Sequence, residues 1–225
     1  MRMRITGRTS MNLADRVIVI IVVSVVKFLH KVLWRYGTLN RYIVYRTFIP
    51  FYFISSKTTL TIARAIMGSV YADSFCDIGS GSGYIAIELL KQYGNLYGIA
   101  IDVSKESVLA AKINARRFNV FDRIDVIQCI SGQCLRSRSL DIAISNPPYL
   151  PCPKEWSEAL CADSDERIYI DVVVQLIRIS KKLTIVSSSS LTRCSKFITK
   201  LVKCVEIYRR NTGLDTIKTY LLVPK

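Results

Sequence analysis

From residue 74 onward the apolar positions fall into short runs bounded by glycine, asparagine and charged residues. Ser74 to Ile78, Leu96 to Asp102, Arg123 to Ile130 and Leu140 to Ser145 are each dense in apolar side chains and predict four strands. After the first of these, Ile85, Ile87, Leu89 and Leu90 form a helical pattern, and Ser104 can cap a second helix through Val108, Ala111 and Ile113 to Arg117. Near the start, Val17 to Val26 is an apolar run that Lys27 ends, and Phe28, Leu29, Val32 and Leu33 then recur at helical spacing. We read Asp15 to Trp34 as a helix with one apolar side, packed on the domain or on a partner. Arg2, Arg4, Arg8 and Arg16 precede it in the order found in a membrane anchor. The run is well short of the ~20 residues a bilayer span needs, so membrane attachment is not expected.

Half of the 225 residues are hydrophobic and 22% are charged, which excludes a disordered or low-complexity chain. With sparse glycine and proline and no repeat, the length serves one large core. Seven cysteines, an odd number without a C-x-x-C pair, read as reduced thiols of a cytosolic protein rather than as a zinc site. Charge divides the chain. Eleven basic residues and one acid, Asp15, lie between Met1 and Ala72, so that stretch carries +10 of the net +15. A basic, aromatic-rich extension over residues 1–52 ahead of a globular domain at 53–225 follows from this break and from the resemblance described below.

Between Arg35 and Phe53 the arginines 35, 41 and 46 alternate with Tyr36, Tyr42, Tyr45, Phe48, Phe51 and Tyr52. Such a segment suits RNA, with arginines on phosphates and aromatics on bases. It suits better a strand pair or lid whose aromatics belong to the core. His30, the only histidine, reads as a surface or interface residue.

The chemistry concentrates at three places. Asp77-Ile-Gly-Ser-Gly-Ser-Gly83 is a turn between strand and helix whose glycines let a ligand touch the backbone. Asp102 ends the next strand about 25 residues on, where a carboxylate can hold a ribose diol. Asn146-Pro-Pro-Tyr149 follows the strand Leu140 to Ser145, and its prolines remove two backbone donors, leaving the Asn146 amide and Pro147 carbonyl as fixed polar groups beside the Tyr149 ring.

With these motifs the chain resembles class I S-adenosylmethionine-dependent methyltransferases, and among them the HemK-like release-factor glutamine methyltransferases, from about Tyr52 to the C-terminus. The resemblance implies a Rossmann-like α/β fold: a mostly parallel seven-stranded sheet with an antiparallel last strand and helices on both faces. It implies S-adenosylmethionine as cofactor, held by Thr58, Asp77, Gly79, Ser80, Gly81, Gly83, Asp102, Val103, Cys129, Ile130 and Asn146. It also implies that Asn146, Pro147 and Tyr149 are the catalytic residues that bind the planar nitrogen to be methylated. Ile185 to Leu191, the helix to Val202 and the strand Thr219 to Val223 look like the family's closing elements. The chain departs from the archaeal and eukaryotic branch at Ser56 and Lys57, where that branch has two acids. It departs again at Cys129 and Ile130, where an acid and its neighbour normally clamp the adenine amine and where a backbone N–H and carbonyl are left to read the base.

Three functions fit. The first is N5-methylation of the glutamine in the Gly-Gly-Gln loop of a peptide-chain release factor in the cytoplasm. The second is N-methylation of an exocyclic base amine in RNA, or less readily DNA. The third is a non-catalytic or membrane-linked protein that keeps the fold while its altered cofactor contacts have lost activity. The resemblance also implies a small zinc-binding activator subunit beside the third strand, and the basic N-terminal third suggests contact with ribosomal RNA.

Overall fold

The computed structural model describes residues 17, 21, 24–25, 38–39, 42–43, 49–148, 150–151, 161–162, 167–190, 192, 198, 202, 204–211 and 215–223. Seven strands form the main sheet: β3 (Ser74–Ile78), β4 (Tyr97–Asp102), β5 (Ile124–Gln128), β6 (Leu140–Ser145), β9 (Ser180–Ser189), β10 (Cys204–Asn211) and β11 (Thr216–Leu222). Their order is β10-β11-β9-β6-β3-β4-β5. β9, β6, β3, β4 and β5 are parallel, and β11 runs antiparallel to both its neighbours. This is the architecture the resemblance implies.

The apolar runs that mark the inner strands have a simple cause: both faces are covered, so every position of β6 is buried. Alternate residues go to opposite sides. Phe75, Ile142, Ile144 and Ile185 pack against helices α1 (Ile49–Met67) and α2 (Tyr84–Gln92) and the end of α3 (Lys105–Arg117). Cys76, Ile78, Ala143 and Val186 pack against α4 (Arg167–Ile179) and Ile198. The predicted strand at 123–130 is shorter, because residues 121–123 form a 3₁₀ turn and the chain leaves the sheet after Gln128. β5 is the outer strand, with Asp125 and Gln128 exposed.

α1 begins at Ile49, ahead of position 53, and its Leu60, Ala63 and Met67 enter the first core. Two ties fix it: Arg64 Nη2 pairs with Glu88 at 2.9 Å, and Thr59 Oγ1 meets Ser187 Oγ at 2.6 Å. Two short antiparallel strands precede α1, β1 (Thr38–Leu39) and β2 (Tyr42–Ile43). Tyr42 is buried, so at this residue the strand-pair reading of the aromatic segment holds. The other aromatic side chains of that segment lie outside the described residues. Of the expected helix from Asp15 to Trp34, Val17, Ile21, Ser24 and Val25 are described; they are helical, and all four are exposed. No helix among the described residues is long and apolar enough to cross a membrane. The two remaining short strands, β7 (Leu150–Pro151) and β8 (Cys161–Ala162), pair with each other.

Candidate active site

β6, β3 and β4 are neighbours and parallel, so their carboxyl ends lie together at one edge of the sheet. The loop after β3 is wound tightly there. Gly79 N and Ser80 N both donate to Ile101 O at 2.8 and 2.9 Å, and Gly83 N donates to Ser80 O at 2.8 Å. Gly79, Gly81 and Gly83 have φ of 72°, 54° and 77°, the left-handed region that side chains avoid. A Cβ on Gly79 would meet nothing within 4 Å, which leaves bare backbone facing open space. From α3, the buried Asn114 donates to Ser82 O at 2.8 Å and holds the loop against the helix.

Two carboxyls flank this loop. Asp102 accepts from Gly81 N through Oδ2 at 2.8 Å and from Ser104 N through Oδ1 at 2.9 Å. Burial raises its pKa, while the Ser104 and Gly81 N–H groups pull it down. The Ser107 hydroxyl and the Val103 N–H add smaller pulls in the same direction. Asp77 is fully buried, and neither of its oxygens accepts a hydrogen bond of ordinary geometry. Burial pushes its pKa up to about 7, with the Ala86 N–H pulling weakly down and the Asp102 charge adding to the rise. A buried carboxyl so weakly partnered is costly and suits a site where a ligand brings a donor.

The turn after β6 is anchored from below by Ser145 Oγ, which donates to Ile78 O at 2.6 Å. Asn146 Nδ2 donates to Ser56 Oγ at 3.3 Å, a buried hydroxyl on α1. Pro147 is buried and Pro148 half-buried; Tyr149 lies outside the described residues. Thr58, two residues from Ser56, is buried on the same helix. Past β5, Cys129 N donates to Asp102 O at 3.0 Å, so this N–H is not free to read a base. The Cys129 sulfur accepts from Cys134 N at 3.0 Å. Val103 and Ile130, by contrast, are 63% and 59% exposed and offer apolar cover for a flat ring. Ser56 and Asn114 do not stand out as site residues in the sequence. For Asn114 the signal is a polar residue within the apolar stripe of α3.

A parallel sheet in this order, with an antiparallel strand near one edge, a glycine loop after its first parallel strand and an acid ending the second, defines the class I S-adenosylmethionine-dependent methyltransferase fold. The chain belongs to the methyltransferase small domain family, whose sequence profile matches residues 63–215. It is 42% identical over 77 residues to a release factor glutamine methyltransferase of Nitratidesulfovibrio vulgaris, covering 34% of this chain and 26% of that one. It is 40% identical over 74 residues to a bifunctional methyltransferase of Rickettsia typhi, covering 33% and 14%. The chain therefore spans about a quarter or less of the length of these relatives. Among solved structures it superposes on a ribosomal protein L11 methylase of Lactobacillus delbrueckii with TM-score 0.55 and 19% identity, over 76% of this chain and 77% of that one. A SAM-dependent methyltransferase of Aquifex aeolicus matches with TM-score 0.52 and 14% identity, over 73% of this chain and 89% of that one. These likenesses show the fold.

The cofactor of the class is S-adenosylmethionine. The residues fit it: the bare Gly79 backbone, the buried Asp77 for a cationic amine, Asp102 for two hydroxyls, and Val103 with Ile130 for a ring.

Proposed function

We propose that this chain is an N-methyltransferase whose acceptor is a planar amide nitrogen, the glutamine of the Gly-Gly-Gln loop of a peptide-chain release factor. The observation that carries this reading is the position of Asn146 and Pro147 at the end of β6, beside the loop after β3 and braced by Ser56. Relatives named release factor glutamine methyltransferase support the substrate. S-adenosylmethionine supplies an electrophilic methyl on a sulfonium. An amide nitrogen is a poor nucleophile because its lone pair is conjugated. The Asn146 side-chain oxygen and the Pro147 carbonyl would accept its two N–H groups, which aims the lone pair, perpendicular to the amide plane, at the methyl and pushes density onto nitrogen, and the surplus N–H proton would leave to water after transfer. Tyr149 stacks on the group and keeps it oriented. No base is needed before transfer.

In this reading residues 53–225 form the catalytic domain and 1–52 a basic extension, and the protein works in the cytoplasm. The outer strand β5 is the place for a small zinc-binding activator, since an open edge can pair with another chain. A second reading, methylation of an exocyclic base amine in RNA, is favoured by the eleven basic residues before residue 73, which could contact ribosomal RNA. The test is incubation with methyl-labelled cofactor and either release factor, release factor with its loop glutamine replaced by alanine, or total RNA. Label in the intact factor alone is expected; label in RNA alone overturns the glutamine assignment.

A further inference from the structure

The edge of the sheet opposite the active site carries features that methyl transfer does not use. At the amino ends of β3 and β4 lies a cavity of about 350 Å³, lined by Met67, Tyr71, Asp73, Tyr93, Gly94 and Asn95 among others. That volume is within the range of small-ligand sites. Tyr71 at its rim is 80% exposed, an unusual position for a large ring. Lys182 Nζ donates to Tyr71 O at 2.8 Å and lies 5.4 Å from the ring centroid.

From Lys182 a row of cations continues along the same edge. Arg138 N donates to Arg178 O at 2.8 Å, Ser139 N donates to Ile179 O at 3.0 Å and Leu140 pairs with Ser180, so residues 138–140 run beside 178–180, just ahead of Lys181 and Lys182. Arg136, Arg138 and Lys181 are exposed, and no ion pair among the described residues involves them. Two acids are close by. Asp141 is already engaged by Lys182 at 3.2 Å and by Asp73 N at 3.0 Å. Asp73 lines the cavity, where the Tyr71 hydroxyl faces it and where it can accept from a base amine.

We propose that this edge binds single-stranded RNA, with one base in the cavity beside Tyr71 and the adjoining phosphates along Lys181, Arg138 and Arg136. A stacking ring, a cleft with carboxyl and amide groups for a base edge, and a row of exposed cations, of which Lys181 also acts on Asp141, are what an unstacked strand needs. A duplex would present no free base to the cavity. Strands of five or six residues separate this edge from Asn146 by about 17–20 Å, so the base held in the cavity serves as an anchor and is not itself the methyl acceptor. The inference is independent of the glutamine reading.

The test is fluorescence anisotropy of the full chain with a labelled oligoadenylate RNA of about 12 nucleotides, and with the DNA of the same length. Gly94 offers a direct block, because it lines the cavity, a Cβ there would meet nothing within 4 Å and its φ is unstrained, so Gly94→Phe is expected to obstruct the cavity and leave the fold intact. RNA affinity is expected to fall roughly tenfold or more in Gly94→Phe and in Tyr71→Ala, and to be kept in Tyr71→Phe. Replacing Arg136, Arg138 and Lys181 by alanine together should reduce the slope of log K against log salt by about 2. Thermal midpoint and S-adenosylmethionine affinity should stay as in the parent, which separates loss of binding from loss of folding. Parent-like RNA binding by Gly94→Phe and the triple variant would place the binding elsewhere in this basic chain and overturn the proposal. Equal affinity for the DNA strand would overturn the assignment to RNA.

Discussion

Gly81 N–H donates to Asp102 Oδ2 at 2.8 Å, joining the loop after β3 to the acid that ends β4. One carboxylate thereby fixes the glycine turn while standing where the cofactor's hydroxyls would bind.

Asp102→Ala removes both roles. S-adenosylmethionine binding is expected to weaken by about 1–3 kcal/mol, the range for a charge-assisted hydrogen bond in a closed site. Isothermal titration with equal affinity for parent and variant would show that Asp102 only caps the loop.

Asp77 gives a pH signature. Its folded pKa, pushed to about 7 by burial, lies above the ~3.9 of an unfolded aspartate. Between those values the folded chain keeps a proton that the unfolded chain has lost, so this group makes stability fall as pH rises from about 4 to 7 and level off above. Asp77→Asn removes the dependence. The variant's thermal midpoint, measured without cofactor, should gain on the parent's across that window and hold its lead at higher pH. A gap that does not change with pH would mean that Asp77 is not buried as a lone carboxyl.

Much of this site is legible in the sequence because its parts sit at strand ends, where apolar runs stop abruptly at Asp77, Asp102 and Asn146. The order of the sheet follows from the resemblance those motifs carry. α1 is not legible: Ile49–Met67 is rich in aromatic and β-branched residues, which are poor helix formers, and tertiary packing of Leu60, Ala63 and Met67 overrides that preference. The hydroxyl chain from Thr59 through Ser187 to Thr219 is hidden for another reason. Its members are far apart in sequence, and a serine run in a strand looks solvent-exposed until a helix covers it.

Asn146→Ala should abolish methyl transfer and leave cofactor affinity nearly unchanged, since the lost oxygen orients the acceptor. Ser56→Ala is a milder test of the same geometry. Removing the hydroxyl that Asn146 Nδ2 reaches at 3.3 Å takes away one of the contacts that orient the carboxamide, and kcat should fall roughly three- to tenfold. Near-normal turnover in Asn146→Ala would reduce the Asn-Pro-Pro-Tyr segment to a structural turn.

Tyr42 tests whether the segment before α1 is part of the folded domain. Its ring lies 4.4 Å from Phe118 and 5.2 Å from Tyr84, edge-on to the latter, and its hydroxyl donates to Glu88 at 2.7 Å. Glu88 also holds Arg64 and Lys91, so losing the hydroxyl does not strand its charge. Tyr42→Phe should therefore cost only about 1 kcal/mol, while Tyr42→Ala, which empties a buried aromatic site, should cost about 3–5 kcal/mol. Burial alone would raise the Glu88 pKa, but hydrogen bonds from Lys91 and Tyr42 and the nearby charges outweigh it and hold the carboxyl below its ordinary value. A lowered acid pKa contributes stability above the unfolded value and loses it as pH falls through the folded one. The Tyr42→Phe penalty should accordingly be full at pH 7 and shrink at a pH below the ordinary glutamate value, as Glu88 takes up its proton. Urea unfolding at the two pH values measures this, and a Tyr42→Ala chain as stable as the parent would detach the β1–β2 hairpin from the core.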